Sequence, residues 1–371
     1  WQGRGKVTLQ AWMLEDYQAD WGLKCVRNPY YWKVDTEGNQ LPYLDRVVST
    51  IIQDRPTIAL KCVAGEIDLD GQWVGIPQIP LFFEEKDKRG FTIGWYVGQA
   101  AWTMRANFDY PDETVRKTLR DVDFRRALAL AINRPEINRT FYYDLLDICN
   151  ASFSPDLPFV DKSALALYSA YDPAQAKSFL DRAGYKDVNN DGFRETPDGK
   201  PLNLLIDVYQ HDLYVPLMEM VAEQIRAIGL KVTLNIQLQQ AIFQRAAAFE
   251  HMFTIREGVQ LREPLERLDE LAPVRENAPD WHHKASEAPM SPEYAKFSDI
   301  LIRARHLPRE EMIKQMKEAN TILADQCWFW CVGWMKRPYF IGKGVYNVPL
   351  EATRGPGDFP PLMPHQIYIK R

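Results

Sequence analysis

The spacing of hydrophobic and polar positions changes along this 371-residue chain, and each change marks a different kind of element. Over the first hundred residues, short apolar runs lie between turn residues. The stretches "VVSTIIQ" (47–53) and "FTIGWYV" (91–97) predict strands, and "YYWKVDTEGNQLPYLD" (30–45) predicts a polar excursion turning at Gly38 and Pro42. Between the two strands, "TIALKCVAGEIDL" (57–69) predicts a short helix with Ile58, Ala59, Cys62 and Val63 apolar and Gly65 as its stop.

From residue 123 the period becomes helical. In "DFRRALALAINRPEINRTFYY", Phe124, Leu128, Ala131 and Ile132 share a face, with Asp123 as the expected N-cap and Pro135 opening a second helix. "DPAQAKSFLDRAGY" predicts another helix, with Asp172 at the N-cap, Pro173 in the first turn and Gly184 past the end. The strand "LNLLIDVY", a helix with Met218, Val221, Ile225 and Ile228 on one face and Gly229 as its stop, and the strand "KVTLNIQL" complete an α/β pattern. Residues 257–292 are charged and Pro-rich and read as a long irregular surface segment. Two amphipathic helices (292–306 and 309–324) follow. The closing runs "CWFWCVGW" and "RPYFIGKGVYNV" read as strands that rejoin the sheet begun near the start of the chain.

Composition narrows the function classes. A content of 46% hydrophobic and 12% aromatic residues supports a sizeable core in two or three domains. With 45 basic against 50 acidic residues, the net charge of -5 gives no pull toward nucleic acid or an anionic membrane. No apolar run has the length of a membrane-spanning helix. The opening "WQGRGKVTLQ" lacks the pattern of a leader and reads as the middle of a longer polypeptide. Cys25, Cys62, Cys149, Cys327 and Cys331 are too dispersed for a disulfide scaffold; they read as buried thiols or at most two bridges. Cys327 and Cys331, four apart, would share a helical face, but no nearby Cys/His pair completes a zinc site.

The most motif-like stretch is "DVNNDGFRETPDGK" (187–200). Asp187, Asn189, Asp191 and Gly192 match the early positions of a calcium loop, but Asp198 stands where a bidentate Glu belongs. Thr196, Pro197, Gly199 and Pro201 then lead into a strand rather than an exit helix, so a looped hairpin is the expected structure, with calcium at Asp187, Asn189 and Asp191 the alternative. No nucleophile elbow, His-Glu-x-x-His or phosphate loop is present. A paired-carboxylate hydrolase remains open from sequence, because its two acids need only meet in space. His282 and His283, as adjacent residues, point apart and read as a solvated loop.

Four ordered blocks resemble the oligopeptide- and dipeptide-type (family 5, cluster C) extracellular solute-binding proteins of ABC transporters. They are "RNPYYWKVDTEGNQLPYLDRV" (27–47), "AGEIDL" (64–69), "DVDFRRALALAINRPEI" (121–137) and the run from "AGYKDVNNDGF" to "IGLKVTL". The resemblance implies an α/β, two-lobed periplasmic-binding-protein-like (type II) fold, with the first part of lobe one outside this chain, on the same or an associated polypeptide. Residues 1–98 would then be the later half of lobe one, 99–324 lobe two, and 325–371 the returning strands and tail of lobe one. It further implies a periplasmic or extracellular protein, tethered if at all through the missing portion, that closes on a ligand and delivers it to permease subunits without cofactor or chemistry.

Ligand-binding candidates near the implied lobe crossings are Gln72, Trp73, Gln99, Trp102, Arg256 and Glu257. Peptide-binding relatives hold an α-amine with a carboxylate, for which Glu257 or Glu263 would serve here. Sugar-binding relatives stack rings on Trp, and this chain has eleven Trp. An oligosaccharide or sugar conjugate is therefore the favoured cargo and a peptide the alternative. A ligand-sensing module of a regulator is the alternative of another class, and would need a DNA-binding or signalling partner.

Overall fold

The computed structural model describes residues 6–71, 73–256, 259–352 and 363–370. The chain divides into two compact units, Trp1–Gly98 with Lys336–Arg371, and Gln99–Met335.

In the first unit, the strands Trp12–Gln18, Gly22–Arg27 and Arg46–Thr50 form an antiparallel sheet. The last strand is shorter than the 47–53 run implies, since its final apolar residues pass into the turn before the next helix. Gly22 is required here: its φ is +135°, and a Cβ would collide with the Ser49 carbonyl oxygen. The helix Arg55–Ala64 begins at Asp54, whose carboxylate accepts the Thr57 N–H, and ends at Gly65 with φ +79°. Its buried face, Ile58, Ala59 and Cys62, packs with Phe82, Phe91 and Phe340. The late strand Gly333–Ile341 lies between Thr92–Ala100 and Leu69–Asp70, so the chain does return to the strands of its first hundred residues.

The second unit is built on a five-stranded sheet in the order Phe329–Cys331, Thr103–Ala106, Phe253–Arg256, Asn203–Tyr209, Lys231–Gln237. Its two faces differ. Met104, Ala106, Ile206, Val208, Phe253, Ile255 and Trp330 are buried apolar residues at alternating positions. The Trp330 indole N–H donates to the Arg125 carbonyl in the helix Val122–Ala131. The intervening positions carry polar groups: in register across the sheet lie Asn235, Asp207, Thr254 and Arg105. The fully buried Asp207 carboxylate accepts from Asn235 Nδ2 (2.7 Å) and Arg245 Nε (3.0 Å), which anchors the helix Gln239–Ala247 over this polar face.

Three local expectations are corrected. The helix Val122–Ala131 is capped by Asp121, which accepts the Asp123 and Phe124 N–H groups; Asp123 sits in the first turn and pairs instead with Arg182 of the helix Pro173–Ala183. Cys327 closes the helix Arg309–Gln326 with φ +48° and Cys331 lies in a strand, so they do not share a helical face. The charged, Pro-rich segment is not a surface excursion: Leu261, Leu268, Leu271, Ala278, Trp281 and His282 are buried, because its sparse apolar residues fold inward between its charges.

Candidate functional site

The polar face of the second unit's sheet opens into a cavity of about 350 Å³ lined by Arg105, Tyr209, Gln239, Phe243, Arg256, Arg267 and Glu270. Arg105 and Arg256 project from neighbouring strands and Tyr209 from the next strand. Gln239 and Phe243, four apart on one helix face, form the opposite wall. The Phe243 ring meets Tyr209 edge-on at 6.1 Å between centroids, and the Arg256 guanidinium lies 5.2 Å over Phe243.

The charges alternate. Arg256 pairs with Asp280 at 2.9 Å, Asp280 with Arg105 at 3.4 Å, Arg105 with Glu270 at 3.6 Å, Glu270 with Arg267 at 3.8 Å, and Arg267 with Glu263 at 4.0 Å. Three guanidiniums thus face three carboxylates in one row. Burial, which disfavours its charge, draws the Arg105 guanidinium down from its ordinary value; Asp280 and Glu270 oppose that shift. Next to this row lies His251, 1% exposed, whose imidazole is pushed down to about 4 by burial.

Asp280 and Glu270 owe their positions to the segment once read as irregular. The Trp281 indole N–H donates to the Glu270 carbonyl at 2.8 Å, and the Phe108 N–H donates to the Trp281 carbonyl at 2.9 Å. His282 is not solvated but fully buried: its Nδ1 lies 2.9 Å from Asp109, and its Nε2 accepts the Met290 N–H at 2.9 Å. An accepting Nε2 assigns the proton to Nδ1, so a neutral imidazole donates to the Asp109 carboxylate. Arg120 and the Lys284 N–H complete that carboxylate's partners. Burial alone would raise the Asp109 carboxyl, but the hydrogen bonds from His282 and the Lys284 N–H outweigh it and bring it down to about 2.

Of the residues expected from sequence, Arg256 belongs to this cavity. Trp102 is buried at 1% exposure. Trp73, in the first unit, is half exposed with the Arg55 guanidinium 5.7 Å from its ring. Gln72 and Glu257 lie outside the described residues, as does the Gln99 side chain. Arg105, Tyr209, Phe243, Glu270 and Asp280 were missed. One signal was available: Arg105 in "TMRAN" and Asp207 in "LLIDVY" interrupt otherwise apolar strands, which marks a face turned away from the core.

In the 187–200 stretch the candidate calcium oxygens already accept backbone N–H groups: Asp187 from Asp191 and Gly192, Asn189 from Asp191, and Asp191 from Phe193. Lys186 and Glu195 form a bridge, and the strand Asn203–Tyr209 follows rather than a helix. Among the described residues no group of three or more His, Cys, Asp or Glu is arranged to hold a metal ion. No helix among them is long and apolar enough to cross a membrane.

The mixed α/β architecture is that of the two-lobed periplasmic binding proteins, the fold class expected from the sequence. It matches an oligopeptide-binding protein OppA with a TM-score of 0.77 and 27% identity, covering 100% of this chain and 64% of that one. It also matches the periplasmic binding protein MelB of Agrobacterium fabrum C58 in complex with stachyose, with a TM-score of 0.75 and 20% identity over 98% of this chain and 57% of that one. The chain belongs to the bacterial extracellular solute-binding proteins of family 5, whose middle region matches residues 3–259. Among curated relatives, the periplasmic alpha-galactoside-binding protein of Rhizobium meliloti (strain 1021) is 28% identical over 93% of this chain and 52% of its own length. The chain thus spans about half the length of the curated relatives it matches.

Proposed function

We propose that the protein is an extracytoplasmic solute-binding protein that captures an oligosaccharide and delivers it, chemically unchanged, to the permease of an ABC importer. The observation that carries this reading is the alternating row of guanidiniums and carboxylates beside Tyr209 and Phe243. A peptide brings a free ammonium and carboxylate, and binding it favours charges left uncompensated in the site. Here each carboxylate of the row has an arginine neighbour and each arginine an acid. A neutral polyol fits such a row, because its hydroxyls donate to the carboxylates and accept from the guanidiniums while its apolar ring face covers the aromatic side chains. The names of two relatives, one binding alpha-galactosides and one complexed with stachyose, support the same class. The likeness to an oligopeptide-binding protein favours a peptide as the second reading.

Calorimetric titration with stachyose and raffinose against a tri- to pentapeptide mixture separates the two. Micromolar or tighter binding of an oligosaccharide, recovered intact afterwards, is expected; peptide binding with no sugar response would reverse the assignment, and a cleaved sugar would indicate a hydrolase. Phe243→Ala is expected to weaken sugar binding about tenfold, the loss of roughly 1.4 kcal/mol of ring contact. Phe243 is partly exposed, so its removal should leave the thermal midpoint nearly unchanged.

A further inference from the structure

We propose that Gln239 and Arg267 are the residues that determine sugar specificity, each bonding ligand hydroxyls directly, while Arg105, Asp280 and Arg256 form the fixed floor of the cavity. This inference rests on the oligosaccharide reading and names the side chains that carry its selectivity. Both residues line the cavity, and neither side chain has a hydrogen-bond partner among the described residues. The Arg267 guanidinium stands 3.8 Å from Glu270 and 4.0 Å from Glu263, both longer than a hydrogen bond. Arg105 and Arg256 differ, since both donate to Asp280, at 3.4 and 2.9 Å.

Unspent hydrogen-bonding capacity separates the two groups. A hydroxyl that takes a hydrogen bond from Arg105 or Arg256 competes with a carboxylate already in place, whose charge-assisted bond is roughly twice as strong as a neutral one. A hydroxyl bonded to Gln239 or Arg267 displaces only solvent. The backbones of both residues are nevertheless held. Gln239 opens the helix Gln239–Ala247, which the pairing of Arg245 with buried Asp207 ties to the sheet. Arg267 precedes the buried Leu268; its N–H donates to the Glu263 carbonyl at 2.8 Å and its carbonyl accepts the Glu270 N–H at 3.0 Å. Binding therefore orders two side-chain tips on backbone that is already fixed, which keeps its entropic cost small.

The two side chains divide the recognition. The Arg267 guanidinium only donates, in a planar fork that suits two acceptor oxygens set side by side, and neighbouring hydroxyls of a pyranose present such a pair. Glu263 and Glu270 already face its charge, so neutral oxygens suffice as its partners. The Gln239 amide both donates and accepts, so it takes the hydrogen of one hydroxyl and gives one to the next oxygen. It stands four residues before Phe243 on the same helix face, and a sugar ring lying over Phe243 turns its hydroxyl edge toward the amide. A peptide's ammonium finds no acceptor in the Arg267 guanidinium.

Stachyose and raffinose are titrated calorimetrically into the wild type, Gln239→Leu, Arg267→Met and Arg267→Lys, and the thermal midpoint of each unliganded protein is measured. Gln239→Leu keeps nearly the same size without the polar atoms and should weaken binding about tenfold; Arg267→Met, which removes charge-assisted bonds, should weaken it about thirtyfold. Arg267→Lys should stay well below wild-type affinity, because an ammonium keeps the charge without the fork. Both side chains are exposed, so the midpoints should agree with the wild type within about 1 °C. Wild-type affinity in all three variants would overturn this assignment and leave the oligosaccharide reading standing. Full affinity in Arg267→Lys alone would overturn the fork, and affinity lost only together with the thermal midpoint would make the two residues structural. A wild type that binds neither sugar would overturn the oligosaccharide reading and this assignment with it.

Discussion

Replacing Arg105 with methionine is expected to lower the free energy of unfolding by about 3 kcal/mol and to weaken ligand binding at least a hundredfold. Arg105 is 2% exposed and stands at the centre of the charged row, between Asp280 and Glu270. Breaking a buried pair by removing one partner costs roughly 3–5 kcal/mol, because the charge left behind keeps its desolvation penalty and loses its attraction. The lower end applies here, since Asp280 keeps Arg256 and both acids retain some solvent contact. Arg105→Lys should fall between wild type and methionine: an ammonium keeps the charge but lacks the planar fork that addresses two carboxylates at once. Urea unfolding of the single variants and of Arg105→Met with Glu270→Gln tests this directly. The double variant should recover part of the loss, since it removes the acid that has lost its Arg105 partner and keeps only the 3.8 Å contact with Arg267. An unchanged midpoint in Arg105→Met would mean that the row contributes nothing to folding.

Acid should destabilise the protein in two separable windows. The His251 imidazole is pushed down to about 4 by burial, and its Nδ1 has no hydrogen-bond partner among the described residues. In the unfolded chain the same imidazole takes up a proton near pH 6.5. Between those values the unfolded state binds more protons than the folded state, so stability falls as pH falls. The contribution is complete above about pH 6.5 and is lost by about pH 4, roughly 3 kcal/mol in all at 1.36 kcal/mol per pH unit. Asp280 and Asp207 favour the protonated ring, whereas Arg105 and Arg256 oppose it. His251→Asn removes the titrating group, and its unfolding free energy should be nearly flat from pH 6.5 to 4.5 where that of the wild type slopes. Parallel slopes in the two proteins would assign the acid sensitivity to other groups. The Asp109 carboxyl, held at about 2, adds its own loss below about pH 4, after the His251 contribution is gone.

The helices were legible because their signals are local. Asp172, Pro173 and Gly184 bound the helix Pro173–Ala183, and Gly65 ends Arg55–Ala64, since a cap acts within four residues of the backbone it satisfies. The Asp121 and Asp123 exchange shows the limit of such signals. Two nearby aspartates are equivalent as caps in sequence, and the choice falls to Arg182, 59 residues away, which takes Asp123 for itself.

The sequence by itself determined the α/β class, the family and the bounds of some helices, because periodicity, caps and motif blocks depend on near neighbours or on ordered residue identities. Only the tertiary structure decided the site. Arg105 meets Asp280 across 175 residues and His282 meets Asp109 across 173, so neither partnership leaves a trace in spacing. The stretch 259–291 reads as polar and irregular because charged residues and prolines interrupt any apolar period, yet Trp281, His282 and a few apolar side chains bury themselves there. Burial of so few residues outweighs composition once partners in a packed core are available, and it turns a run of surface-like charges into the acids that face the arginines of the sheet.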